Sequence, residues 1–265
     1  MKLAVKVSRS KLASMGGLLA EAMSELLGTF FFLLIIFLSP IMVRSVEPFI
    51  LGTSVVALMM VFGAFSKPHL NPIFTFAEYF TTLPEQIKAK KFSVTKLWEM
   101  LMYLMAQLIG GLLAFALAYN MQGYLLDVQI EANGLTGTEG IKEQFISQIS
   151  YTTTFLSQFS ATAFAIEMLF AFILAFSFLA ASVESKSKGM AAGVVGLLTF
   201  SLTVFASEFT GASFHPFRSL VPALFAGGDA WGQVWLYIWA PITGAFLAAL
   251  AFLGLKGLKQ LKKSK

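Results

Sequence analysis

The stretch Thr210 to Phe225, TGASFHPFRSLVPALF, lies between two long apolar segments and is itself too short and too interrupted to cross a membrane. Pro216 suits the first turn of a helix, where its missing N–H costs nothing. The ten residues from Pro216 to Phe225 rise by about 15 Å as a helix, half of a hydrocarbon core roughly 30 Å thick. Such a half-helix starts near the midplane and aims its free N–H groups and positive dipole end at the membrane centre. Arg218 then sits in the first turn, where a cation is electrostatically unwelcome, which marks it as functional. Ser66 to Phe80, SKPHLNPIFTFAEYF, is built the same way. It has an apolar lead-in, a polar residue before a proline (Asn71-Pro72 against His215-Pro216) and a short half-helix.

Composition sets the class. The chain has 265 residues, 57% hydrophobic and 12% charged, with a mean hydropathy of +0.77, which is the composition of a polytopic membrane protein. There is no cysteine, which excludes disulfides, thiolate metal sites and cysteine nucleophiles. Two histidines and few carboxylates argue against a metal cluster, and nothing in the chain points to a cofactor or to nucleic acid.

Six spans are expected: Ala22 to Ser39, Phe49 to Phe65, Leu97 to Tyr119, Ala161 to Ser182, Met190 to Ala206 and Trp231 to Leu255. Glu25, Gln107 and Glu167 interrupt three of them, and a carboxylate inside a spanning helix costs a few kcal/mol unless it faces protein or water, so each should point inward. Gly52 and Gly63 in the second span permit close helix approach. The first twenty residues are basic and lack a compact apolar run before a small-residue site, which argues against a cleaved signal peptide. Asn120 to Ser160 is acidic and carries a turn signal at Asn133 to Gly137, as an extracellular loop would. Fifteen of the 19 basic residues fall in the N-terminus, the loops before the third and fifth spans, and the tail. The positive-inside rule therefore puts both termini in the cytoplasm.

The two halves repeat. Tyr103 to Gly110 resembles Tyr237 to Gly244 at an offset of 134, the half-helix prolines are 144 apart, and Glu25 and Glu167 are 142 apart. Three spans per half make the copies insert in opposite orientation, which brings the half-helix N-termini together at the midplane. The chain thus divides into a cytoplasmic N-terminus (1–20), a first repeat (21–126), an extracellular loop (127–160), a second repeat (161–255) and a basic cytoplasmic tail (256–265), all one membrane domain.

These residues resemble the aquaporin, or major intrinsic protein, family. His69-Leu-Asn-Pro-Ile-Phe-Thr75 is similar to its first Asn-Pro-Ala box, and Thr210 to Ala223 to its second, including the arginine that follows it. Glu25-Leu-Leu-Gly-Thr-Phe, Ala106-Gln107, Glu167, and Ala240-Pro241 with Gly244 extend the likeness over essentially the whole chain. The resemblance implies an all-α channel of six transmembrane helices and two re-entrant half-helices, without enzymatic activity, with a pore in each monomer and four monomers associating in the bilayer. It also implies a midplane formed by Asn71, Pro72 and Ile73 with His215, Pro216 and Phe217, and buried supports at Glu25, His69, Gln107 and Glu167.

The departures are Ile73 in the first box, and His215 and Phe217 in the second. His215 is either a neutral helix cap or a group whose protonated form puts a positive charge at the narrowest point. Phe217 either packs between the half-helices or intrudes on the pore. Carrying over the family's selectivity filter gives Leu51, Thr203, Ala212 and Arg218. Strict water channels pair that arginine with an aromatic residue and a histidine, so Leu51 and Thr203 imply a wider, less polar opening, compatible with glycerol or another small neutral solute. Ser219 and Ala223 instead resemble the water-selective branch. Water is the first expectation, and a glycerol or small-solute facilitator the alternative. A secondary transporter would need coupling-ion ligands that are missing here. A channel fold occluded by Phe217 and Ile73, with a structural role, is the remaining reading.

Overall fold

The computed structural model describes residues 2–39, 46–132, 160–184 and 188–263. Among them run eight helices: α1 (Lys2–Leu38), α2 (Glu47–Phe62), α3 (Pro72–Lys88), α4 (Val94–Ala132), α5 (Ser160–Glu184), α6 (Lys188–Thr210), α7 (Pro216–Ala226) and α8 (Gly228–Lys263). Five are long and apolar enough to cross a bilayer, and α2 is a shorter apolar helix of 16 residues, about 24 Å long. α3 and α7 are the two half-helices, each entered through a proline at its first turn.

Several helices outrun the sequence expectation. α1 takes in the basic N-terminus from Lys2 onward, and α8 runs into the basic tail. α3 continues from Phe80 to Lys88 through Pro84 and closes at the Ala89 C-cap, and Gln86 in its last turn accepts the Ser93 N–H at 2.8 Å. α4 continues from Tyr119 to Ala132, so the first part of the expected loop is helix. Buried Gln122 donates there to the Phe37 carbonyl at 2.7 Å and ties α4 to the end of α1. The rest of that loop, with the turn expected at Asn133 to Gly137, lies outside the described residues.

Packing follows a two-fold pattern. α1 packs on α4 as α5 packs on α8, α1 on α2 as α5 on α6, and α3 on α8 as α7 on α4, while α2 meets α6 across the centre. Glycines make the equivalent contacts. A Cβ on Gly110 would strike the backbone of α1 at Leu26 and Phe30, and one on Gly244 the backbone of α5 at Met168 and Phe172. At the centre, a Cβ on Gly52 would lie 2.8 Å from the Gly196 carbonyl, and one on Gly196 would lie 2.6 Å from the Gly52 carbonyl. Gly63 does something else: it is the C-cap of α2, closing on the Met59 carbonyl of its own helix. The outer surface is strongly apolar, with Met60, Leu197, Phe205, Trp239 and Leu250 among the exposed side chains. Such a surface suits contact with a bilayer, where helices satisfy their backbone groups internally.

Candidate functional site

The two half-helices meet N-terminus to N-terminus, and their capping side chains interlock. Asn71 is extended, and its Oδ1 accepts the Ile73 N–H at 3.0 Å, the ordinary N-cap bond of α3. Its Nδ2 crosses to the other half-helix and donates to the Phe214 carbonyl at 3.1 Å. His215 caps α7 in the same way: Nδ1 accepts the Arg218 N–H at 3.2 Å, so Nε2 carries the proton and donates to the Leu70 carbonyl at 3.0 Å. Each cap thus holds its own helix and the residue preceding the opposite cap.

That crossing depends on strained backbone. Leu70 and Phe214 have φ of 56° and 46°, a left-handed conformation that non-glycine residues adopt only when the surroundings compel it. The compelling groups are the two carboxylates inside the spans. Glu25 accepts the His69 and Leu70 N–H groups at 2.5 and 2.9 Å. Glu167 accepts those of Ser213 and Phe214 at 3.1 and 2.8 Å. Gln107 Nε2 further supports Glu25 at 2.7 Å, and the Thr210 hydroxyl supports Glu167 at 2.6 Å. All four of Glu25, Glu167, Gln107 and Thr210 are fully buried. His69 bridges Thr75 and Glu78 through its two ring nitrogens at 3.0 and 3.1 Å, and Lys67 also binds Glu78.

A cavity is lined by residues of this junction. Its lining includes Arg218, Thr203, Ala212 and Leu51, the two caps Asn71 and His215, and Phe74, Leu174 and His69. The residues expected at a selectivity filter are therefore brought together, although they come from α2, α6, the loop before α7, and α7 itself. Arg218 is 7% exposed. Its guanidinium donates to the Ala212 carbonyl at 2.6 Å and to Glu47 Oε1 at 3.2 Å. Thr203 is 1% exposed, and its hydroxyl has no hydrogen-bond partner among the described residues. Ile73 and Phe217 do not line the cavity: Ile73 is fully buried in the core, and Phe217 packs beside it toward Gly111 of α4.

The sequence model of the family described as Major intrinsic protein matches residues 10–252. This chain belongs to the major intrinsic protein family. It is 31% identical to the Glycerol uptake facilitator protein-like 6 of Lactiplantibacillus plantarum over 86% of its own length and 94% of that protein. It is 28% identical to Aquaporin Z of Rhodopseudomonas palustris, covering 76% of this chain and 75% of that one. The aquaglyceroporin structure from Plasmodium falciparum superposes with a TM-score of 0.66 at 18% identity, over 88% of this chain and 94% of that one. As a major intrinsic protein, the chain is an integral membrane channel for water and small neutral solutes with the aquaporin fold, and it is not an enzyme.

Within this major intrinsic protein, three site features lie beyond the sequence reading. Glu47, partner of Arg218, is visible in sequence only as an acidic residue ahead of Pro48 at a helix start. Phe178 of α5 stacks on the cavity-lining Phe74 at 4.5 Å, with His69 edge-on to it at 5.3 Å. Ser219 is spent on structure: its hydroxyl bonds that of Ser213 at 2.7 Å, and both are buried.

Proposed function

We propose that this pore passes water together with uncharged solutes of glycerol size, with Leu51, Thr203, Ala212 and Arg218 as the selectivity filter and Asn71 as the amide donor at the midplane. The observation that carries the reading is the mixed lining around Arg218: a guanidinium and a threonine hydroxyl without a partner among the described residues, together with the apolar side chains of Leu51 and Ala212. A polyol presents both hydroxyls and C–H groups, and a lining that mixes polar and apolar side chains can match both. Leu51 in place of an aromatic ring leaves room for the carbon chain. The similarity to a protein named for glycerol uptake points the same way.

Glu25, His69, Gln107 and Glu167 act as positioning residues that set the two caps. The repeats fall within 21–126 and 161–255, with the termini in the cytoplasm of a cell whose plasma membrane the channel occupies. Four monomers associate through the exposed apolar faces. Liposomes containing the purified chain test the permeability directly: sucrose shock reads water, and a glycerol gradient reads solute entry. Both rates should exceed those of protein-free vesicles, and Thr203→Val should slow glycerol more than water. A glycerol rate equal to that of empty vesicles would reduce the reading to a water channel.

A further inference from the structure

We propose that Glu47 is a specificity-determining residue of the channel: its carboxylate is the counter-charge of Arg218, so that the mouth of the pore is an ion pair and not a lone cation. The inference rests on the reading above that Arg218 lines the permeation path. Glu47 stands in the first turn of α2, where the helix dipole favours an anion. Its Oε1 lies 3.2 Å from an Arg218 terminal nitrogen, and the two side chains are 19% and 8% exposed. The other terminal nitrogen is taken by the Ala212 carbonyl. Ala212 has φ 49°, a strained conformation that turns this carbonyl toward the guanidinium. The guanidinium is thus gripped from two elements: Ala212 and Glu47 together set its orientation, and Glu47 supplies the charge that offsets its field.

The consequence is electrostatic. A lone guanidinium in a narrow, poorly solvated mouth repels cations and draws anions, whereas a close ion pair leaves only a dipole whose field fades within a few ångström. Each partner therefore masks the other. Taking away the arginine does not leave a neutral opening but an uncovered carboxylate beside the path, which recruits cations. Taking away the carboxylate leaves an uncovered guanidinium, which recruits anions. Ion exclusion at this mouth depends on the pair being whole.

The test compares the full chain in liposomes as wild type, Glu47→Gln, Arg218→Val and the double variant Arg218→Val/Glu47→Gln, reading potassium leak, nitrate uptake and water flux on the same preparations. Arg218→Val should raise potassium leak about tenfold, and the added Glu47→Gln should return it to within about twofold of wild type. Glu47→Gln alone should raise nitrate uptake several-fold while potassium leak stays low. Glu47→Asp in the Arg218→Val background keeps the charge and should keep the leak. If Glu47→Gln does not fold, Glu47→Ala in the same background carries the same comparison. Equal potassium leak in the single and double variants, or no leak in Arg218→Val, overturns the proposal. Wild-type vesicles with water flux in that case leave the channel reading standing, and wild-type vesicles without it sink both.

Discussion

Replacing Glu167 by glutamine removes no atom from the core but changes what one oxygen can do. The carboxylate, itself of zero exposure, accepts three hydrogen bonds, from Thr210 Oγ1 and the backbone N–H groups of Ser213 and Phe214. An amide has one oxygen, so the best arrangement keeps Thr210 and Ser213 and turns its NH₂ on the Phe214 N–H. One charge-assisted bond worth about 1.5–3 kcal/mol is lost, and a buried N–H is orphaned at about 1–3 kcal/mol. Phe214, at φ 46°, is then released from a conformation that stores roughly 1–3 kcal/mol, which refunds part of the loss by letting the backbone relax. The net cost is about 3 kcal/mol, or a fall in Tm of about 6 °C at some 2 °C per kcal/mol for a chain of this size. Relaxation of Phe214 also withdraws the carbonyl that Asn71 grips, so flux should fall together with stability. Thermal unfolding followed by tryptophan fluorescence in detergent, paired with stopped-flow water flux in liposomes, measures both. Glu25→Gln should show the same pair of effects, because Glu25 holds His69 and Leu70 as Glu167 holds Ser213 and Phe214. A Glu167→Gln protein with Tm within about 1 °C of wild type and unchanged flux would refute the reasoning.

Three further outcomes are expected. His215→Asn should keep water flux to within about twofold, since an amide can cap α7 and still donate to Leu70, and wild type should show a flat flux profile from about pH 5 to 8. Protonating Nδ1 would break the Arg218 cap bond beside an existing cation, so a sigmoidal profile that Asn abolishes would show that His215 gates. Phe217→Ala should lower stability by about 2–3 kcal/mol with flux unchanged, because the ring packs toward α4; a rise in flux would place it in the path. Gly196→Val should prevent recovery of folded protein by size-exclusion chromatography, since even the first carbon would sit 2.6 Å from the Gly52 carbonyl; a monodisperse peak with normal flux would sink the close-approach argument.

The half-helices were legible because their signals are local. A proline at a helix start and a polar cap one residue ahead of it are rules of backbone chemistry that need no partner. Glu25 and Glu167 were legible for a different reason: a carboxylate among apolar residues has nowhere to go but inward. Helix ends were harder. α1, α3, α4 and α8 run past their apolar stretches into polar sequence, and hydropathy falls off where the bilayer ends, whether or not the helix does. Gly63 illustrates a related limit, since a glycine that lets two helices approach and one that caps its own helix look alike in sequence. The Glu47–Arg218 pair joins positions 171 apart, and the Phe74–Phe178 stack joins different helices. Neither leaves a periodic trace in the sequence.

The histidine in the second box shows what the junction requires and what it leaves free. Each cap must supply one acceptor to its own helix N-terminus and one donor to the carbonyl ahead of the other cap. Asparagine has an acceptor and two donor hydrogens, and a neutral histidine has one acceptor and one donor hydrogen. Both meet the demand, which is why the geometry at Asn71 and His215 is equivalent to within 0.2 Å in its hydrogen bonds. The difference appears only in the remainder. Asn71 keeps one donor hydrogen after the junction is satisfied, and His215 keeps none, so on the proposed path a solute at the midplane would find a spare cap donor on the α3 side only. On that proposed path a two-fold scaffold carries a one-sided contact, and orienting a passing molecule would fall to Asn71 and the two helix dipoles.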